Sequence, residues 1–307
     1  MRTLFVGAGA VGGFFGAHLA NAGTDVVFLV REARAQALRR TGLRVRSALG
    51  DVELAANAVS NAGDAGDPQI VVIACKAYGL MSAMQAIEPV VHPGVAILPL
   101  LNGYAHLEVL ERRFPQATLW GGLVHLGVTL DSEGGIRHIN EIAQFRVGSR
   151  RGVRDPRAEW LAAQFDGTPV DAAVRSKIEQ DMWDKFVFVT TLAASTCLMR
   201  TNVGTIIAAH GGERLIAALL EECVAVAAAE GYRPNESQLA VYRAQLTQPS
   251  SVSKASMLRD IEQGRPTEAD HLIGDMVARA SAFSIDVPLL RIAQTHLECY
   301  ERGRVAP

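Results

Sequence analysis

One lysine in this chain has an unusual setting. In "MWDKFVFVTTLAASTC", Met182 to Cys197, Lys185 is the only basic residue and stands at the head of a run of apolar and small side chains. A lysine whose stem lies among Phe186, Val187, Phe188 and Val189 either snorkels to the surface or is held in a cleft for chemistry. A second group of residues has a clearer purpose. "VGAGAVGGFFG" places Gly7, Gly9 and Gly12 in a G-x-G-x-x-G spacing, with Ala10 and Val11 opening the helix between the last two glycines. The first glycine permits a tight turn, the second lets a pyrophosphate approach the backbone, and the third lets helix and strand pack closely. The helix N-terminus then carries the diphosphate charge. Arg31 follows the next strand, about 20 residues past the glycines, with Arg34 one turn on. An arginine there suits a ribose 2′-phosphate and favours NADP over NAD. The alternative is that Arg31 decorates a strand end and Glu32 serves NAD.

These residues need a scaffold, and the N-terminal half supplies one by alternation. Thr3 to Val6 predicts a short strand, Ala10 to Asn21 a helix, and Asp25 to Val30 a β-branched second strand. Gln69 to Ala77 and Gly94 to Asn102 predict further strands buried on both faces, each followed by helical pieces. Such alternation implies right-handed crossovers and a parallel sheet. From Leu119 to Gly148, "GGLVHLGVTL", "GGIRHIN" and "FRVGS" predict short strands joined by Gly-rich turns. After Val174 the strands stop, and helical periodicity starts at Ile178, Gly211, Asn235, Ser253, Thr267 and Pro288. The expected fold class is α/β: an N-terminal Rossmann-type domain with a mainly parallel sheet over residues 1–173, and an all-α C-terminal domain over 174–307.

Composition narrows the partners. The 307 residues are 49% hydrophobic and 20% charged, with a formal net charge of −2, which is the balance of a globular enzyme rather than a disordered chain. Interspersed charges leave no footprint for nucleic acid or an anionic membrane, so a small-molecule partner is expected. Cys75, Cys197, Cys223 and Cys299 lie far apart without CxxC spacing, which argues for reduced thiols, a cytoplasmic location and no structural zinc. The eight histidines show no local ligand spacing, so no metal is expected. A signal-peptide reading of Arg2 and the apolar run after it conflicts with the glycines and with the strand-turn-helix order that continues through them. No apolar segment reaches the length of about 20 residues that a membrane span requires.

Several pieces together resemble one family. "GAGAVGGFFGAHLANAGTDVVFLVR" looks like the opening of ketopantoate reductases (2-dehydropantoate 2-reductases), and "CKAY" and "LLNG" look like their next two sheet motifs. "MWDKF" looks like the start of their catalytic helix, and "SMLRDIEQGRPTEADHLIGDM", Ser256 to Met276, is similar to the C-terminal signature. The resemblance implies NADPH-dependent reduction of a 2-oxo acid, a place in pantothenate biosynthesis, and Lys185 as the catalytic lysine. That role makes physical sense: hydride arriving at a carbonyl carbon leaves negative charge on oxygen, and a nearby ammonium can stabilise it and donate a proton. Partial desolvation would lower the lysine's pKa toward that task. By the same resemblance Glu268 is the conserved acid, which orients Lys185 or binds a substrate hydroxyl, and Ser256 binds substrate. The resemblance likewise implies that Asn102 lies near nicotinamide and substrate, and that Lys76, at the end of a strand, contacts the cofactor.

Departures from the family pattern concern the substrate. Family members that reduce ketopantoate carry asparagines one and two helical turns after the lysine, where this chain has Val189 and Ala193. Positions i, i+4 and i+8 share a helix face. A site built on hydrogen bonds discriminates by roughly 10⁴ or more, so their loss should change preference. Thr190, Thr191 and Asn202 are nearby in sequence but not in matching positions. Three readings follow: a ketopantoate reductase, a reductase of a more apolar 2-oxo acid, and a dinucleotide-binding sensor without chemistry. A homodimer is compatible with the apolar C-terminal helices, and periodicity does not decide it.

Overall fold

A computed structural model describes residues 1–305. The chain divides into two compact units: Met1–Leu101 with His106–Ile178, and Asn102–Ala105 with Glu179 onward. The division falls at Ile178/Glu179 rather than at Ala173, because Asp171–Val174 still pairs with a strand of the first unit.

The first unit holds ten strands: β1 (Thr3–Val6), β2 (Val26–Leu29), β3 (Leu43–Arg46), β4 (Val52–Leu54), β5 (Ala58–Val59), β6 (Ile70–Ile73), β7 (Ala96–Pro99), β8 (Thr118–Leu130), β9 (Ile136–Ser149) and β10 (Asp171–Val174). Its helices are α1 (Ala10–Asn21), α2 (Glu32–Thr41), α3 (Leu80–Ile87), α4 (Ala105–Arg113) and α5 (Pro156–Ala163). The sheet runs β4-β3-β9-β8-β7-β6-β1-β2-β5, with β10 beside β9. Every residue of β1, β2, β6 and β7 is buried, as the unbroken apolar runs require of parallel strands covered on both faces. Alternate residues feed two cores. Phe5 and Phe28 join Phe14, Phe15 and Phe145 on one face, while Leu4, Val6, Val71 and Ile73 pack on the other.

From β5 to β8 the order β5-β2-β1-β6-β7-β8 is that of a Rossmann fold, and all its pairs are parallel. The order reverses between β1 and β6, and ligands of such sheets bind beyond the carboxyl ends of the strands at that point. Two expectations change in the remainder. The strands read as short between Leu119 and Gly148 are one long antiparallel hairpin, β8 and β9. Gly122 lies inside β8 because a Cβ there would come 2.4 Å from Leu98 Cδ1, so this glycine marks close packing and not a turn. The turn itself is built on Asp131, whose Oδ1 accepts from the Glu133 and Gly135 amides. Strands β3 to β5 are only two to four residues each and partly exposed, too short for a periodic signal to stand out in the sequence.

His18 is buried on α1, against the Phe14 ring at 4.6 Å, and its Nε2 has no partner among the described residues. Burial, helped by the nearby His138, pushes its pKa down from 6.5 to about 4. Between these values the unfolded chain takes up a proton that the folded chain refuses, so stability falls as pH falls through that window. The limiting slope for one group is about 1.4 kcal/mol per pH unit. Thermal melting from pH 7 to 4 should show a flatter acid limb for His18→Leu than for the natural chain; identical limbs would remove His18 from the account.

The second unit contains α6 (Ile178–Met199), α7 (Val203–Ala208), α8 (Gly212–Ala229), α9 (Glu236–Leu246), α10 (Ser256–Glu262), a π-helical turn at Asp270–Gly274, α11 (Asp275–Ala282) and α12 (Pro288–Val305). No strand occurs in it among the described residues. Asn202 caps α7 through the Thr205 amide, and Asn235 caps α9 through the Gln238 amide. No helix among the described residues is long and apolar enough to cross a membrane.

Candidate active site

In the first unit the glycine turn lies at the sheet's switch point. Gly7 has φ +101°, a conformation that side chains rarely adopt. A Cβ on Gly12 would lie 2.3 Å from the Gly7 carbonyl oxygen and 2.8 Å from Ala74 Cβ, so the turn closes directly onto the end of β6. Gly9 is different. It caps α1, and a Cβ there would meet nothing within 4 Å. The first turn of α1, opened by Ala10 and Val11, contains no acidic residue. Open space at Gly9 and uncapped amides around it fit a dinucleotide pyrophosphate. Lys76 is half-buried just past β6, on the same sheet edge.

The two arginines after β2 have separate fates. Arg34 is held by the fold: its guanidinium donates to the Ala8 carbonyl at 3.3 Å and the Gly134 carbonyl at 2.8 Å. Arg31, the N-cap residue of α2, is exposed, and among the described residues no hydrogen bond or ion pair engages its side chain. Glu32 is occupied. Its carboxylate accepts from Gln36 at 2.9 Å and pairs with Arg39 at 3.5 Å, and bonds from Ser60 and Gln36 hold its pKa below the ordinary carboxylate value. Of the two residues weighed for the ribose, the arginine is the available one.

In the second unit Lys185 lies on α6 and Glu268 precedes the π-helical turn. Lys185 keeps part of its surface, yet burial of the ammonium pushes its pKa down from 10.5 to about 8, and the nearby Glu268 works in the opposite direction. Glu268 is buried, at 8% exposure. Thr267 fixes the approach to it: its amide donates to Glu301 at 2.6 Å, and its hydroxyl accepts from the Ala269 amide at 3.4 Å. A desolvated ammonium beside a buried carboxylate is an arrangement for moving a proton near neutral pH.

Asn102 belongs to this unit and not to the sheet that precedes it. Its backbone is hydrogen-bonded by the imidazole of His271, whose pKa burial lowers and whose surroundings include Glu268 and Asp275. His271 was not among the residues singled out from sequence. Its only local signal is its place three residues after Glu268, on a turn whose π-helical geometry often marks functional positions. Ser256 is exposed at the first position of α10. The neighbouring Ala255 amide donates to Thr196, about three helical turns along α6 from Lys185. These contacts gather Lys185, Glu268, His271 and Asn102, and tie Ser256 to a later part of the same helix.

Of the polar residues near Lys185 in sequence, two are engaged elsewhere, while the buried Thr190 hydroxyl has no partner among the described residues. Thr191 donates back to the Val187 carbonyl, and Asn202 is the α7 cap. Val189 is half-buried and Ala193 is buried, so Val189 is the one with surface to offer. Among the described residues no group of three or more His, Cys, Asp or Glu side chains is placed to hold a metal ion.

Comparison with known proteins places the chain in a family. The family model for ketopantoate reductase PanE/ApbA matches residues 3–152, and the model for the ketopantoate reductase PanE/ApbA C terminal matches 177–301. The chain belongs to the ketopantoate reductase family. It is 36% identical over 301 residues to the uncharacterized oxidoreductase YkpB of Bacillus subtilis (strain 168), covering 98% of this chain and 99% of that one. It is 29% identical to the 2-dehydropantoate 2-reductase of Halobacterium salinarum, over 95% and 96% of the two chains. A crystal structure of a PanE/ApbA family ketopantoate reductase from Ralstonia eutropha JMP134 superposes with TM-score 0.89 over the whole of both chains, at 25% identity. As a ketopantoate reductase family member the chain is an oxidoreductase.

Proposed function

We propose that this family member reduces a 2-oxo acid to the 2-hydroxy acid with NADPH. The observation that carries the reading is Lys185, an ammonium desolvated to a pKa of about 8 beside the buried Glu268. A bound nicotinamide supplies the hydride. Lys185 stabilises the negative charge that gathers on the carbonyl oxygen and transfers its proton there, after which it regains a proton from solvent. Glu268 favours the protonated form of Lys185 and so keeps the acid loaded. Gly7, Gly9, Gly12, Ala10 and Val11 bind the pyrophosphate, Lys76 contacts the cofactor, and Asn102 and Ser256 orient the substrate. The sensor reading has no use for a lysine of depressed pKa, and loses ground to the enzyme for that reason.

The free guanidinium of Arg31 and the engaged carboxylate of Glu32 support a 2′-phosphorylated cofactor. Charge-assisted bonds of this kind contribute about 1.5–3 kcal/mol, so Arg31→Ala should raise KM for NADPH about 10- to 100-fold while KM for NADH stays put. Equal KM values in the natural enzyme, or an unchanged NADPH value in the variant, would reject NADP selectivity.

The substrate has two readings. Ketopantoate follows from family membership. A more apolar 2-oxo acid is favoured by Val189, one turn beyond Lys185, and by Thr191 and Asn202 being engaged in the fold. Dinucleotide oxidation followed optically with ketopantoate and a panel of apolar 2-oxo acids, each with NADPH and NADH, separates them by kcat/KM. Absence of turnover with every pair would reject the reductase.

A further inference from the structure

The segment Asn102–Ala105 leaves the end of β7 and is counted with the second unit, and three sets of contacts fasten it there. His271 hydrogen-bonds the Asn102 backbone. Gly103, at φ +84°, lies so close to the π-helical turn that a Cβ would sit 3.1 Å from the His271 carbonyl oxygen and 3.1 Å from Leu272 Cδ2. Tyr104 is the third. It is buried, its hydroxyl donates to Glu179 at 2.8 Å, and its ring packs on Trp183 with centroids 5.1 Å apart.

Arg279 completes the arrangement. Its guanidinium lies over both rings, 5.3 Å from the Tyr104 centroid and 5.4 Å from that of Trp183. It is held in that plane by Glu230 at 2.8 Å and Asp275 at 3.1 Å, with 12% of its side chain exposed. Two of these elements also carry the reacting groups. Glu179 and Trp183 stand on α6 ahead of Lys185, and Arg279 stands on α11, which continues the π-helical turn following Glu268. On the other side of Glu179, Tyr232 donates to its second oxygen at 3.0 Å and stacks on Trp183 within 8° of parallel.

We propose that Tyr104 and Arg279 are positioning residues, which hold the backbone of Asn102 in register with Lys185 and Glu268. The proposal rests on Asn102 having the orienting role assigned above. Arg279 links the helix behind Glu268 to the ring of Tyr104, and Glu179 links the helix of Lys185 to its hydroxyl. A planar guanidinium is needed for stacking on two rings while paired with two carboxylates, and a lysine ammonium cannot reproduce it.

Tyr104→Phe tests the link with little disturbance, because it keeps the ring and removes the hydroxyl that bonds Glu179. Hydrogen exchange of the 102–105 amides in the whole chain should quicken about three- to tenfold, as expected for the loss of one hydrogen bond to the segment. With an accepted 2-oxo acid, kcat should fall about tenfold while the dinucleotide dissociation constant stays unchanged. In an Asn102→Ala background the same substitution should cost nothing further, since it acts through that residue. Arg279→Lys should give the same exchange and kcat pattern. Unchanged exchange in both variants would overturn the proposal, and so would losses that multiply with Asn102→Ala. If the natural chain turns over no 2-oxo acid, the reductase reading fails on its own, and exchange at 102–105 still decides whether the clamp exists.

Discussion

Replacing Lys185 with alanine is expected to lower kcat about 10³-fold or more, because in the proposed mechanism the group that both stabilises the developing oxyanion and delivers the proton is removed. Dinucleotide affinity should stay within about twofold, since Lys185 carries none of the pyrophosphate contacts; a titration of the variant separates the two effects. Full turnover in Lys185→Ala would sink the assignment. The pH dependence has a definite sign. A pKa depressed from 10.5 to about 8 means that the protonated donor is present below 8 and is lost as pH rises through it, so kcat for reduction should fall on the alkaline side of that value. Stability moves the other way. Between about 8 and 10.5 the unfolded chain keeps a proton that the folded chain has released, so folding is increasingly favoured as pH rises across the window. Lys185→Met should remove both slopes together, which no remote titrating group would do.

Two neighbouring glycines should fail in opposite ways. Gly12→Ala puts a methyl 2.3 Å from a backbone carbonyl that cannot move without opening the turn. A loss of about 3 kcal/mol of stability is expected, visible as a lowered melting temperature before any ligand is added. The Cβ added by Gly9→Val meets nothing within 4 Å and the residue occupies an ordinary φ of −78°, so melting should be unchanged. Its methyl groups stand instead where the pyrophosphate approaches, and the dissociation constant for NADPH should rise about 10²-fold. Calorimetry of both variants reads the pair. Unimpaired binding in Gly9→Val would remove the dinucleotide from this turn.

The parts of the site that could be read along the chain are those whose chemistry is local. The glycine turn is one strand, one turn and one helix, so spacing alone located Gly7, Gly9 and Gly12. The uninterrupted apolar runs of β1, β2, β6 and β7 announced parallel strands. The long hairpin reads as separate pieces because its interior glycines imitate turns; crowding of Gly122 against Leu98, Gly127 against Asn140 and Gly148 against the Arg175 carbonyl accounts for three of them. His271 was passed over because nothing in "TEADHLIGDM" says that its ring will meet the backbone of Asn102, far away in the chain.

By itself the sequence determined the α/β class, the dinucleotide turn and a lysine out of place in an apolar helix, because each is a pattern of neighbours whose physics acts over one or two turns. The tertiary structure decided the remainder. It engaged Arg34 and Glu32 in hydrogen bonds, brought Glu268 to Lys185, and attached Asn102 to the helical unit. The physical reason is that a charge's partner, burial and pKa depend on side chains distant in sequence, and local periodicity carries no record of them.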